Sequence, residues 1–232
     1  MFKRLIKKLL ILINRLNYDN QMTEIKPTNE ARQKLLQIAG KMFAAKGIDG
    51  VSTRDIAKEA ELNISLISYY FGGKEGLYKA VLVHFAELAQ SRLGQVLQGF
   101  QEDKMTKESF LKDMKDIANG MVRMKIEYPF MMELMQREVL SGLPYARDVY
   151  NTIFRSLAEN IVGVIQAAQK KKIMNPSLHP YILFLSMIHA QDMYFAASKC
   201  NAGILDKCYR LPEELDLYID QLFKIFIEGH LL

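Results

Sequence analysis

Apolar residues recur at helical rather than strand spacing over most of the 232-residue chain. In the N-terminal third, a stripe with the spacing i, i+3, i+4, i+7, i+8 predicts a buried helical face. Thr28 precedes this stripe and can cap the free N–H groups of a first turn, and Gly47 is placed to end the helix. The stripe consists of Leu35, Ile38, Ala39, Met42 and Phe43.

Two shorter helices are predicted to follow. The first covers about residues 54–61, after the capping pair Ser52-Thr53. The second covers about residues 64–70, with Asn63 able to cap it, and Gly72-Gly73 ends it. Lys74 then opens a long fourth helix.

Two short helices joined by a tight turn and braced by a third helix form a helix-turn-helix, whose second short helix docks in the major groove of DNA. Ile67 and Phe71, four residues apart, are expected to face the core. Hydroxyl groups bind phosphates or base edges, Leu66 would meet a thymine methyl, and Arg54 would pair with a guanine. A helical hairpin with surface tyrosines is the alternative. The residues expected to face outward are Ser65, Leu66, Ser68, Tyr69 and Tyr70.

The run VSTRDIAKEAELNISLISYYFGGKEGLYKAVL resembles the DNA-binding domain of TetR/AcrR family transcriptional regulators. It shares their Thr-rich cap, an Ile-Ala pair, and a short helix that ends with Tyr69, Phe71 and then Lys74. Within the family, SLISYYFGGKEGLY is similar to a CecR-like branch. The resemblance places the family's DNA contacts on Thr53, Arg54, Ile64, Ser65, Leu66, Ser68, Tyr69, Tyr70 and Lys74.

The resemblance covers residues 28–93 and implies an all-α fold. In it, a three-helix helix-turn-helix domain precedes a helical-bundle domain for ligand binding and dimerisation, here residues 94–232. Two positions depart from the family pattern. Ser68 stands where a tyrosine is usual, and Glu61 stands where the turn usually has glycine. Glu61 is therefore expected to adopt the left-handed backbone conformation at some cost.

Beyond residue 95 the pattern predicts helices over about 106–127, 129–141, 145–171, 178–199 and 212–230, with prolines at their starts and in loops. The segment 110–154 is rich in methionine and aromatic residues. Such residues either fill a core or line an adaptable cavity for a hydrophobic effector, and the resemblance favours the cavity. The candidate effector residues are Phe110, Met114, Met121, Met132, Met135, Gln136, Tyr150, Phe154 and Gln191.

The last two predicted helices carry broad apolar faces. In the family that the chain resembles, these helices pair with their copies in a four-helix interface. A palindromic operator in double-stranded DNA also requires a two-fold homodimer. The candidate interface residues are Leu185, Ile188, His189, Leu215, Ile219, Leu222 and Phe226.

Most of the formal net charge of +5 lies at the N-terminus, where residues 1–22 hold five basic residues and one acidic residue. Residues 1–16 read as a basic amphipathic helix within a leader of residues 1–27. Its longest apolar run is too short to span a membrane. Three interpretations stay open: a contact with anionic membrane, an arm that binds DNA phosphates, or an extension ahead of a start at Met22.

Other features narrow the functional class. Cys200 and Cys208 cannot form a disulfide framework and are expected to be reduced thiols of a cytoplasmic protein. The motifs H-E-x-x-H, G-x-S-x-G and G-x-x-x-x-G-K are absent from the sequence, so neither an enzyme nor a metal or cofactor is predicted. The sequence predicts a homodimeric, sequence-specific repressor released by a small hydrophobic effector. The alternative is a DNA-binding regulator or architectural protein that has no small-molecule ligand and is controlled by a protein partner.

Overall fold

The computed structural model describes residues 28–197 and 215–232. These residues form helices and one isolated β-bridge between Met174 and Leu231, so the all-α prediction is confirmed. The chain divides into two compact units, Met1–Ala80 and Val81–Leu232, and the division falls inside a long helix. The predicted leader and both cysteines lie outside the described residues.

Four helices contribute to the first unit: α1 (Asn29–Lys46), α2 (Thr53–Glu59), α3 (Ser65–Phe71) and the first residues of α4 (Lys74–Gln98). The predicted ends of α1 are confirmed. Thr28 Oγ1 accepts a hydrogen bond of 3.1 Å from the Ala31 N–H, and Gly47 ends the helix with a φ of 72°. The predicted α1 stripe is shifted slightly, because Leu36 is fully buried while Ile38 and Met42 are half-buried at its edge.

The cap of α2 is Ser52 alone, whereas the sequence had suggested that Thr53 shares this role. Ser52 Oγ accepts from the Asp55 N–H at 3.1 Å, and the Ser52 N–H donates to Asp55 Oδ2 at 3.3 Å, which makes a reciprocal capping box. The Ser52 hydroxyl and backbone N–H together hold the pKa of Asp55 below its usual value. Thr53 is the first helical residue, so its predicted capping role is wrong.

Five helices follow in the second unit, and their positions agree with the predicted ones to within a few residues wherever the chain is described. They are α5 (Lys107–Glu127), α6 (Pro129–Leu140), α7 (Arg147–Val149, Tyr150–Phe154 and Arg155–Lys170 in succession), α8 (Pro180–Ala197) and α9 (Leu215–Phe226). Short 3₁₀ turns occur at Glu102–Lys104 and Glu228–His230. The middle part of α7, Tyr150–Phe154, is π-helical, which the sequence pattern did not predict.

Among the described residues of the second unit, buried side chains form three groups. The largest, which we call the main cluster, joins α5, α7, α8 and α9 and includes Phe110, Ile165 and Phe223. A second group joins α4, α5 and α7 around Leu93, and a third joins Val122, Phe195 and Ile219. Within the described ranges, no helix is long and apolar enough to cross a membrane.

Two glycines of α4 make a matched pair for testing how α4 begins. A Cβ placed on Gly76 would lie 1.7 Å from the Phe71 carbonyl oxygen at the end of α3, whereas a Cβ on Gly94 would meet no atom within 4 Å. We expect Gly76→Ala to lower the free energy of unfolding by about 1–3 kcal/mol or more, because backbone must move to admit the methyl group. We expect Gly94→Ala to raise it by about 0.5–1 kcal/mol through helix propensity.

The measurement is urea-induced unfolding followed by circular dichroism. Equal stability changes for the two alanine variants would show that the close approach between Gly76 and Phe71 does not constrain the start of α4.

Candidate nucleic-acid interface

Helix α3 has two distinct faces. Leu66 and Ile67 are buried, at 5% and 1% exposure, and hold the helix onto the rest of the first unit. Ser65, Ser68 and Tyr69, spaced i, i+3, i+4, occupy the opposite face and are exposed, Tyr69 at 69%. This solvent-facing row of two hydroxymethyl groups and one phenol is available to a partner.

The burial of Leu66 overturns its predicted contact with DNA. From the spacing of apolar residues, Ile67 and Phe71 were expected to face inward and Leu66 outward. Because each residue turns a helix by about 100°, Leu66 and Ile67 together face the core, and Phe71 lies at the edge of that face. Phe71 is half-buried, with the Arg32 guanidinium 5.6 Å from its ring centroid.

Tyr70 connects α3 to the start of α1. Its hydroxyl donates a hydrogen bond of 2.9 Å to the backbone carbonyl of Thr28, the residue that caps α1. Its ring contacts those of Tyr69 and Phe71, with centroids 5.2 and 5.8 Å away. The predicted role of Tyr70 as a phosphate donor is therefore wrong for this arrangement, since its one hydroxyl proton is used within the protein. Tyr70 is a positioning residue.

The turn between α2 and α3 is a Schellman motif with Glu61 in the left-handed position. The Leu62 N–H donates to the Ala57 carbonyl at 2.9 Å, and the Glu61 N–H donates to the Lys58 carbonyl at 3.1 Å. Glu61 has a φ of 53°, which confirms the conformation expected of it. Asn63 Oδ1 accepts from the Ser65 N–H at 2.9 Å, as its predicted capping role requires.

The remaining predicted DNA contacts differ in their accessibility. Arg54 is exposed in the first turn of α2, and Ile64 is 44% exposed just ahead of α3. Thr53 and Lys74 are half-buried. We therefore define the recognition surface as the exposed polar residues Arg54, Ser65, Ser68 and Tyr69.

The candidate effector residues of the second unit are spread over different environments. Phe110 and Met114 are fully buried in the main cluster. Gln136 is exposed, so the expectation that it faces inward is wrong. Tyr150 and Phe154 lie in the π-helical segment with ring centroids 5.2 Å apart, and Gln191 is fully buried. The half-buried members of the set are Met121, Met132, Met135, Tyr150 and Phe154.

A groove of about 690 Å³ lies elsewhere in the second unit, between α4 and α7. Its size matches those of small-molecule sites, but exposed amides and hydroxyls line much of it, including Gln90, Gln95 and Asn160. None of the candidate effector residues in the sequence analysis lines this groove. Its location and lining do not match the apolar effector cavity that the methionine-rich segment predicts.

An exposed apolar face runs along the last two helices. On α8, Ile182, Leu185 and Met193 are 64%, 49% and 67% exposed, and on α9, Leu217 and Ile225 are 57% and 63% exposed. The predicted interface residues Leu185 and His189 are exposed with this face, while Ile188, Leu215 and Phe226 are half-buried.

Two other predicted interface residues, Ile219 and Leu222, are 3% and 4% exposed. They pack inside their own unit, so their assignment to an interface is wrong. The apolar residues of α9 cover a wide arc of the helix: some pack into the core of the second unit and others face solvent. The sequence pattern did not separate the buried residues from the exposed ones.

The strained turn at Glu61 gives a test of the local fold. Glu61→Gly should raise the free energy of unfolding by about 1 kcal/mol, because glycine adopts a positive φ without the steric cost that a side chain brings. Glu61→Gln is the control. It keeps the strain and removes only the exposed ion pair with Lys34, whose charged atoms are 3.7 Å apart and which contributes little.

Thermal and urea unfolding of the three proteins measure this difference. A glycine variant no more stable than the glutamine variant would contradict the strain at this position.

Comparison with known proteins agrees with this geometry. The model for "Bacterial regulatory proteins, tetR family" matches residues 35–81, which include α2, α3 and the turn between them. The "Probable HTH-type transcriptional regulator YttP" of Bacillus subtilis is 26% identical over 83% of this chain and 94% of its own length. The HTH-type transcriptional repressor NicS of Pseudomonas putida is 26% identical over 69% of this chain and 75% of its own length.

The same fold occurs in a solved structure, the ketosteroid transcriptional regulator KstR2 of Mycobacterium tuberculosis. The likeness has a TM-score of 0.67 at 15% sequence identity and covers 89% of this chain and 97% of that one. The narrower assignment to a CecR-like branch stays a prediction. The matched domain, the relatives and the shared fold agree: residues 35–81 match the TetR family, and the chain is similar to DNA-binding transcriptional regulators of that family.

Proposed function

We propose that this protein is a homodimeric, sequence-specific repressor that leaves its operator when a small hydrophobic effector binds in the second unit. The observation that carries the proposal is the division of α3 into two faces. Leu66 and Ile67 fix the helix to its own unit, while Ser65, Ser68 and Tyr69 are left facing solvent. A short helix held in this way is suited to enter the major groove of DNA.

The chemistry of the recognition surface supports a mixture of backbone and base contacts. Ser65, Ser68 and Tyr69 supply hydroxyl groups, which donate to phosphate oxygens and fix the register on the duplex. Arg54 supplies a planar guanidinium with paired donors, which matches the O6 and N7 acceptors of guanine. In this proposal, Arg54 reads sequence and the hydroxyl groups mainly position the protein.

The exposed apolar face on α8 and α9 supports a homodimer. Large apolar side chains grouped on one surface mark protein interfaces, and a two-fold axis would bring this face against its own copy. Two α3 helices related by such an axis would read half-sites about 34–36 Å apart, one turn of DNA. The operator would then be a palindrome.

Repression and release by an effector are supported by two of the comparisons and by the composition of the second unit. NicS is named as a repressor, and KstR2 is named as a ketosteroid regulator. Half-buried Met121, Met132 and Met135 can adapt to an apolar guest. Release requires that the effector bind the two conformations with different affinity, and a coupling free energy of about 1–3 kcal/mol is typical.

Selection of bound duplexes from random DNA, with the full purified chain at physiological salt, tests the proposal. Enrichment of a palindrome is the expected result. Recovery of unenriched DNA would contradict sequence-specific recognition. An enriched palindrome that no small molecule releases would instead support the alternative in which a protein partner controls DNA binding.

Substitutions on the recognition surface should separate positioning from base reading. Tyr69→Phe removes one phosphate donor and should weaken binding to every sequence about 2–10-fold, the effect of one hydrogen bond. Arg54→Ala should cost about 1–3 kcal/mol and also relax the base preference at one position in each half-site. Fluorescence anisotropy on the selected operator and on single-base variants measures both effects.

The matched control is Tyr70→Phe, which removes the hydroxyl that donates to Thr28. It should lower the free energy of unfolding by about 1 kcal/mol and leave the affinity of the folded protein nearly unchanged. If Tyr69→Phe and Tyr70→Phe affected DNA binding equally, the assignment of the two faces would be contradicted.

A charge introduced on the apolar face should separate the two subunits. Ile225→Glu buries a carboxylate at the proposed interface and should convert the dimer to a monomer at micromolar concentration. Leu140→Glu is the control, because Leu140 is 87% exposed at the end of α6 and belongs to neither α8 nor α9. Sedimentation velocity distinguishes the two. A dimer that survives Ile225→Glu would place the interface elsewhere.

A further inference from the structure

Within residues 28–197 and 215–232, the buried side chain of Gln191 has no hydrogen-bonding partner. It lies on the inward face of α8, with buried Met187 and Phe195 one turn away on either side, and has 0% exposure. Among the residues that the structure describes, nothing bonds to its Nε2 or its Oε1. A buried amide left unpaired costs about 1–3 kcal/mol, so folded proteins rarely keep one without a partner.

A buried ion pair lies on the same turn of α8. The ammonium of Lys125, on α5, donates to the carboxylate of Asp192, and their side chains are only 11% and 23% exposed. Burial lowers the pKa of Lys125, and Asp192 opposes this effect. Because the charge of Lys125 is already matched by Asp192, the pair offers no net positive charge to a carboxylate or phosphate ligand.

The surroundings of this polar group are otherwise apolar. Val122, one turn before Lys125 on α5, belongs to the same buried group as Phe195, one turn after Gln191 on α8, and Met132 packs against them. Met121 packs against both the main cluster and the group around Leu93, so several apolar surfaces meet near the pair. A ligand here would need one polar edge and an apolar body.

The π-helical part of α7 adds an independent feature. Tyr150, at its start, has a pKa raised by burial and by the nearby carboxylates of Asp192 and Glu138. Glu138 is 2% exposed and accepts from the N–H groups of Tyr145 and Ala146 at 3.0 and 2.9 Å. Single π-helical turns occur frequently at functional sites. Helices α5, α7 and α8 thus each contribute a polar group near Asp192: Lys125, Tyr150 and Gln191.

We propose that Gln191 recognises the effector, and that the effector is an uncharged molecule presenting a carboxamide or lactam edge on an apolar body. This inference rests on the proposed control of DNA binding by an effector. The amide Nε2 would donate to the ligand carbonyl, and Oε1 would accept from the ligand N–H. A ketone of the same shape would satisfy Nε2 only, and an anion would place a second negative charge beside Asp192.

The test uses the full chain without DNA and three kinds of probe: lactams, a ketone and a carboxylate. Small-ring lactams, whose cis amides hold the N–H and C=O on one edge (2-pyrrolidone, 2-piperidone and ε-caprolactam), match Gln191, whereas cycloheptanone lacks the N–H and hexanoate carries a negative charge. Melting temperature and titration calorimetry report binding. At least one lactam should raise the melting temperature and bind about tenfold or more tightly than the ketone, because an unpaired buried acceptor is penalised. Hexanoate should not bind.

Two glutamine variants separate recognition from structure. Gln191→Leu should leave the melting temperature of the free protein unchanged or higher, because it removes an unpaired buried amide, and should weaken lactam binding about tenfold or more. Gln169→Leu is the control. Gln169 Nε2 donates to the carbonyls of Asn175 and Leu178 at 3.0 and 2.8 Å, so this variant should lower the melting temperature and keep the lactam affinity.

The inference is overturned if no lactam binds the wild type, if Gln191→Leu binds it undiminished, if hexanoate binds as well, or if Gln191→Leu is destabilised as much as Gln169→Leu. Operator binding, measured separately by fluorescence anisotropy, keeps the two proposals apart. A lactam that binds through Gln191 without releasing DNA supports recognition of an amide edge by Gln191 and contradicts the identity of this ligand site with the effector site. Absence of operator binding contradicts the repressor proposal and leaves the lactam measurements to decide the role of Gln191.

Discussion

The burial of Leu66 and Ile67 is the contact on which the rest of the interface depends. A helix of seven residues is not stable alone in water, because its few hydrogen bonds do not offset the cost of nucleation. Helix α3 is therefore held by tertiary contacts: two buried side chains, the Tyr70 hydroxyl on the Thr28 carbonyl, and the close approach of Gly76 to Phe71. Its outward side chains take their direction from these contacts.

Much of the fold followed from spacing and end signals in the sequence. Thr28, Asn63 and the prolines mark helix ends for local chemical reasons, so the order and approximate limits of the helices were predictable. Glu61 was predictable too, because the turn demands a positive φ whatever residue occupies it. Such features depend on a few neighbouring residues. They can be read without knowing what lies across the core.

The sequence-based predictions that the structure overturns concern contacts with distant parts of the chain. Leu66 was assigned outward because Ile67 and Phe71, four residues apart, were expected to define the inner face, and a seven-residue helix is too short for spacing alone to fix that face. Ile219 and Leu222 were assigned to an interface because an apolar stripe does not say whether it meets its own core or a second copy. The hydrogen bond from Tyr70 to Thr28 spans 42 positions of sequence, and no local pattern signals it.

The composition of α3 also bears on how binding responds to ionic strength. The segment SLISYYF contains no charged residue, so phosphate contacts made through its hydroxyl groups in the proposed complex would displace no condensed counterions from the duplex. Each phosphate neutralised by a cation steepens the fall of log affinity with log salt by about 0.9, so any such slope must come from residues outside α3, Arg54 and Lys74 among them. In the proposed complex, α3 lies deepest in the groove and contributes shape and hydrogen bonds. Its contribution to the affinity for DNA would then not change with salt concentration.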